Sequence, residues 1–283
     1  MYNHGMSSEP LASPTTIERT NPRLPWLAAL AAVLVVGTWL WNTPPGLLGK
    51  ADAVGYAICH RISLRSFHLG ERTLPLCARC TGIYAGLVLG VVTMALAGRS
   101  RAGALPPTRI IVLLIGFIAL MGVDGVNSYL RLFPGLPTLY EPQNWLRLAT
   151  GTLNGLAMAG LVYPVFNQTM WKNWENKPAI GSFREVAFLL GLGALLVAIV
   201  LTENPMVLYP LALISAAGVV ALLTALDTII LLIAGRRESR ALTWREAALP
   251  LLIGFTLAIL QIGLIDAVRF AVFRSWDGFV FPG

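Results

Sequence analysis

Residues 207–234 read VLYPLALISAAGVVALLTALDTIILLIA, 28 positions of which one, Asp227, is charged. A helix needs about 20 apolar residues to cross a bilayer, with about 17–25 tolerated, and this run exceeds that. Six more apolar runs of spanning length lie at 25–41, 81–97, 110–126, 148–166, 186–201 and 247–268. Composition points the same way. Hydrophobic residues make up 56% of the chain and charged residues 12%, against about 25% charged in a soluble domain. Mean hydropathy is +0.69. Too few charges remain to coat a water-facing surface, so the sequence predicts an all-α, polytopic transmembrane helix bundle of about seven spans.

Outward from the spans, the chain divides into three parts. Residues 1–24 are polar and rich in Ser, Thr and Pro, and read as a flexible N-terminal tail. Residues 25–166 hold four spans and the motifs described below, and residues 167–283 add three more spans. Arg19 and Arg23 before the first run give the order of a signal peptide, but no small-residue cleavage site follows directly, so the run reads as an uncleaved span. The net charge is +7. The Lys and Arg residues lie in short connections between spans, which suits orientation and anionic membrane lipids rather than nucleic acid. With the N-terminus in the cytoplasm, cytoplasmic segments hold twelve Lys or Arg and opposite segments nine, five of the nine in the single loop that carries Lys50, Arg61, Arg65, Arg72 and Arg79. This bias predicts a multi-pass protein of the cell (cytoplasmic) membrane with its N-terminus inside. Gly82, Gly86 and Gly90 share one face of the second span, and Gly151, Gly155 and Ala159 one face of the fourth. Small residues at that spacing let helix backbones approach closely.

The loop between the first two spans holds all three cysteines, Cys59, Cys77 and Cys80, and two of the three histidines, His60 and His68. Cys77-x-x-Cys80 can direct two sulfurs at one ion, Cys59 supplies a third, and one imidazole completes a Cys3His shell. His68 is the easier fourth ligand, because His60 adjoins Cys59 in the chain. Zinc suits this donor set, and iron also accepts it. Covalent c-type haem does not fit, since Thr81 stands where that attachment motif has His. A Cys77–Cys80 disulfide, a redox dithiol and inert buried cysteines are the competing readings. Arg61, Arg65, Arg72 and Arg79 in the same loop suit an anionic headgroup, phosphate or carboxylate, or simply a solvated basic loop.

Ionisable groups within spans are costly and mark candidate sites. Asp124 is followed by Asn127, Ser128 and Arg131 on one helix face, and the fourth span opens with Glu141, Asn144, Arg147, Thr150 and Asn154. Asp124 is expected to pair with Arg131 or Arg147. Asp227, Gln261 and Asp266 are further polar positions in the last two spans. Between Cys80 and Asp124 the chain crosses twice, so both lie at one membrane face, together with Arg147. The candidate set is therefore Cys59, His68, Cys77 and Cys80 for a metal, Asp124 and Arg147 for catalysis, and Arg61, Arg65 and Asn144 for substrate.

At these residues the chain resembles an uncharacterised prokaryotic family of predicted membrane proteins, a domain of unknown function. The family's pattern is Cys-His, then Arg-Ser-Phe, then Pro-x-Cys-Ala-Arg-Cys-Thr-Gly-Ile-Tyr, found here as Cys59-His60, Arg65-Ser66-Phe67 and Pro75 to Tyr84. A later Asp-Gly and Asn-x-x-Arg-x-x-Thr-Gly match Asp124-Gly125 and Asn144, Arg147, Thr150 and Gly151. The chain departs from the pattern where a Gln is expected soon after Asp-Gly, in a long connection at 134–137, and in its last three spans. The resemblance implies no activity. Three functions suit the residues: a membrane enzyme acting on an anionic or lipid-like substrate beside the metal, a transporter with an Asp/Arg path, and an assembly subunit with a membrane-protein partner.

Overall fold

A computed structural model describes residues 23–133 and 135–278; the N-terminal tail expected at 1–24 lies almost wholly outside them. Among the described residues, seven helices are long and apolar enough to cross a membrane. They are α1 (Leu24–Asn42), α3 (Ala78–Met94, prolonged to Arg99 by a wider turn), α4 (Thr108–Leu130), α5 (Asn144–Met170), α6 (Phe183–Val200), α7 (Pro205–Ala234) and α8 (Trp244–Phe273). The chain is thus an all-α polytopic bundle. In lipid a helix satisfies its own backbone polar groups, which is why each apolar run takes this form.

One helix was not foreseen. α2 (Gly46–Ile58) has 13 residues and includes Lys50 and Asp52, so it is too short and too polar to read as a span. Its residues from Ala51 to Tyr56 are all buried. It packs against α7 and α8. Lys50 joins its start to the end of α1, donating to Thr43 O at 3.0 Å and Thr43 Oγ1 at 2.9 Å. A short hairpin, β1 (His68–Leu69) and β2 (Arg72–Thr73), follows it with Gly70 at φ 65 in the turn.

The bundle is ordered by contact as α4, α5, α3, α7, α8, α1, with α6 against α5. The two small-residue faces read from the sequence meet each other. A Cβ added at Gly82 would lie 2.4 Å from Leu148 O, and one at Gly155 would lie 2.1 Å from Ile83 O. α3 and α5 therefore touch backbone to backbone. One apolar core joins α3, α4, α5 and α6 through Leu87, Met94, Leu114, Phe117, Leu156 and Leu189. Another joins α2, α7 and α8 to the cysteine loop through Val54, Leu76, Val219, Ile259 and Ile262.

The far end from the cysteines is tied by a parallel pair, β3 (Ala102–Ala104) with β4 (Glu175–Pro178). There Arg99 pairs with Glu185, and Arg101 sits 3.5 Å over the Trp171 ring. The starts of α3, α5 and α7 and the ends of α4 and α8 share the other face, where the candidate site lies.

Candidate metal centre

The three sulfurs converge. Cys59 closes α2, its N–H donating to Gly55 O at 2.8 Å, while Cys77 is the N-cap of α3 and Cys80 lies in its first turn. The Sγ atoms all lie within 4.8 Å of one another. Cys59 and Cys77 are buried, Cys80 is half-buried, and all three are free thiols. Close approach makes this possible: a Cβ at Gly55 would lie 1.9 Å from Pro75 O, so only glycine lets α2 reach the segment that carries Cys77.

The local field favours negative charge on one sulfur, Cys77. The N–H groups of Cys77 and Arg61 donate to Cys59 Sγ at 3.3 and 3.4 Å. Cys77 accepts from the Cys59 and Cys80 thiols, and from His60, and these hydrogen bonds hold it well below the ordinary thiol value. Cys59, which donates to Cys77, is pushed up to about 12. The first negative charge therefore settles on Cys77, at the positive end of the α3 dipole. Zn–S bonds of about 2.3 Å in a tetrahedron put sulfurs about 3.8 Å apart, and the observed cluster fits that spacing with small side-chain adjustments.

The histidines take other places than expected. His68 is exposed on the hairpin, its Nε2 3.0 Å from Ser63 Oγ, and lies outside the sulfur cluster. Strand alternation explains this: Phe67 is 3% exposed and faces the core, so its neighbour His68 faces out. His60 is the imidazole beside Cys77. Its Nδ1 accepts the Ile62 N–H at 3.1 Å, so a neutral ring carries its proton on Nε2. That makes His60 a donor to sulfur. No described His, Cys, Asp or Glu supplies a fourth ligand atom to the cluster.

Asp124, 1% exposed, is paired with Arg79, the residue between Cys77 and Cys80, and not with Arg131 or Arg147. Arg79 Nε donates to Oδ2 at 3.0 Å and Nη2 to the Asp124 carbonyl at 3.0 Å. The Tyr140 hydroxyl donates to Oδ1 at 2.9 Å, and Thr150 Oγ1 reaches Oδ2 at 3.4 Å. Arg131 instead pairs with Glu141 at 2.9 Å on the surface. Three side chains, those of Arg79, Tyr140 and Thr150, thus hold the Asp124 carboxylate.

Arg65, Arg147 and Asn144 do come together, around Ser128. Arg65 Nη2 donates to Ser128 O at 2.7 Å, Arg147 Nε to Ser128 Oγ at 3.4 Å and Arg147 Nη1 to Asn144 Oδ1 at 2.8 Å. Burial lowers the Arg65 guanidinium from its ordinary value, and the Arg79 charge adds to this while Cys77 and Asp124 oppose it. Cys77 is within electrostatic range of both Arg65 and Arg147, so the arginines border the sulfur cluster. Arg61 stands apart from them. It donates to Asp52 Oδ1 at 2.8 Å and to Trp276 O at 2.9 Å, while Arg72 holds the other Asp52 oxygen. Asp52 lies in α2, a helix too short and polar for hydropathy to mark. Of the remaining polar positions, Asp227 accepts from Gln261 at 2.9 Å and Asp266 from Trp39 at 3.1 Å. The first ties α7 to α8 and the second α1 to α8.

Comparison with known proteins sets this geometry in a family. Residues 59–161, from the first cysteine into α5, match the family described as predicted membrane protein (DUF2085). An uncharacterised protein of Methanocaldococcus jannaschii is 29% identical over 123 residues, 44% of this chain and 72% of that protein. One of Methanothermobacter thermautotrophicus is 36% identical over 87 residues, 28% of this chain and 76% of that protein. No solved structure matches. The segment matched by the family, 59–161, carries all three cysteines, Asp124 and the arginines around Ser128, and the chain belongs to this family of membrane proteins.

Proposed function

We propose that the chain is a membrane enzyme built on a metal, best zinc, held by Cys59, Cys77 and Cys80, with a coordination position left for an outside ligand. The supporting observation is the count of donors: three sulfurs converge and no fourth described His, Cys, Asp or Glu joins them. Structural zinc sites are closed by four protein ligands, whereas catalytic sites keep one position open. Bound there, zinc would supply Lewis acidity toward a water or substrate oxygen.

The protein's own residues do the rest. Backbone N–H groups of Cys77 and Arg61 stabilise charge on Cys59, and His60 does so on Cys77. Leu76, Val219, Ile259 and Ile262 exclude water from one side. Asp124 holds Arg79, and through it the first turn of α3, in place. Arg65, Arg147 and Asn144 offer donors to an anionic or lipid-like substrate. In this reading the face lies outside the cytoplasm, in a cell membrane with the N-terminus inside, an orientation that the Lys and Arg bias supports.

The test is elemental analysis of the purified protein and of Cys59→Ser, Cys77→Ser and Cys80→Ser. The wild type should hold about one zinc or iron per chain, and each variant should lose most of it. Equal content in all four proteins removes the proposal. Cobalt exchanged into the site then reports on the open position: adding azide or imidazole should shift its visible bands, while unchanged bands indicate a closed site.

A further inference from the structure

We infer that Arg65 and Arg147 form a binding site for a phosphate-type oxyanion at the edge of the cysteine cluster, an inference that rests on the reading above for its charge count but not for its geometry. Arg65 is 8% exposed and Arg147 6%. Buried charges are normally paired. Two buried carboxylates at this face are already taken, Asp52 by Arg61 and Arg72, Asp124 by Arg79. Among the described residues no carboxylate lies within 4.0 Å of Arg65 or Arg147. Their acceptors are neutral: the Ser128 carbonyl, the Ser128 hydroxyl and the Asn144 amide oxygen. Two buried cations thus meet at Ser128, whose hydroxyl also accepts from the Asp124-paired Arg79 at 2.9 Å, and neither has a carboxylate of its own.

Donor number and charge narrow the ligand. Each guanidinium carries five N–H donors. Arg65 places one and Arg147 two on these neutral acceptors, so most remain for a ligand. A carboxylate saturates on one guanidinium fork, whereas the oxygens of a phosphate group can take forks from two. Three thiolates around a divalent metal carry a formal charge of −1, which offsets one of the two guanidiniums and leaves +1. A singly charged phosphate group balances the site, whether as free phosphate or as the phosphodiester of a lipid headgroup. Position suits both sources. Leu64, next to Arg65, is 84% exposed, and its carbonyl accepts from half-buried Asn144 at 3.3 Å. The pair therefore sits just beneath the membrane face.

The test uses the full chain, with metal content measured on every sample. In detergent it is dialysed against radiolabelled inorganic phosphate. In parallel it is reconstituted in phosphatidylglycerol–phosphatidylcholine vesicles, re-extracted and assayed for retained phosphatidylglycerol. The wild type should hold at least one probe, and Arg65→Gln and Arg147→Gln should each weaken that binding about 10- to 100-fold, the range for a charged hydrogen bond. Arg131→Gln, at the surface pair with Glu141, should leave it unchanged. Binding of phosphate alone assigns a free ligand, and retention of phosphatidylglycerol alone assigns a lipid headgroup. Failure of the wild type to hold either probe overturns the inference, whether or not the variants fold, and so does binding that survives both substitutions. Arginine-dependent binding in a wild type that holds no metal keeps this site and removes the metal reading. Metal without either probe does the reverse.

Discussion

Gly155→Val is expected to separate α3 from α5 and to lower stability by more than about 3 kcal/mol, beyond the usual range for overpacking. A Cβ at 155 would stand 2.1 Å from Ile83 O and 2.7 Å from Leu87 N. Both atoms are backbone of α3, so no side chain can swing away to relieve the clash. The same seam repeats one turn up, where a Cβ at Gly151 would lie 2.3 Å from Arg79 O. Backbone packing of this kind is what holds helices together where lipid supplies no hydrophobic drive. Because Arg79 and Cys80 ride on the first turn of α3, metal retention should fall together with stability. Thermal unfolding in detergent, read beside elemental analysis, measures both. Gly191→Ala, where an added Cβ meets nothing within 4 Å, should stay within about 0.5 kcal/mol of wild type. Equal melting of Gly155→Val and wild type would show that α3 and α5 do not approach this closely.

That seam was half legible from sequence. The spacing of Gly82, Gly86 and Gly90, and of Gly151, Gly155 and Ala159, marked two close-packing faces, and nothing but the fold could say that they meet. The seven spans were readable because a bilayer demands long apolar runs. α2 was not, since its helix depends on burial under the loop and on Lys50 capping α1. The gathering of Cys80, Asp124 and Arg147 at one face followed from counting crossings. Pairing within the face did not. Asp124 took Arg79, whose place between two cysteines had made it look like one more loop cation. The imidazole nearest sulfur is His60 rather than His68, because a hairpin two residues long turns His68 outward, and alternation over so short a ladder leaves no pattern to read.

Asp124→Ala should destabilise the protein by about 3–5 kcal/mol, the range for removing one partner of a buried ion pair. The Arg79 and Asp124 side chains are 14% and 1% exposed, so water cannot replace the lost partner cheaply. Removal also strands the Tyr140 hydroxyl, which donates to Asp124 Oδ1. Asp124→Asn keeps the shape and most acceptors, and should fall between alanine and wild type. The position of Arg79 gives the substitution a second consequence. Released from Asp124, Arg79 no longer anchors the turn that carries Cys77 and Cys80. Groups that orient metal ligands typically contribute 10- to 100-fold in affinity, and a loss of about that size is expected in Asp124→Asn by competition with a chelator. Arg79→Gln should weaken the metal by a similar factor, and the double variant by little more than either alone, because both act through one contact. A general acid–base role for Asp124 makes the opposite forecast: chelator competition unmoved in Asp124→Asn, with additive effects in the pair. The cycle therefore separates a carboxylate that positions the site from one that moves protons in it.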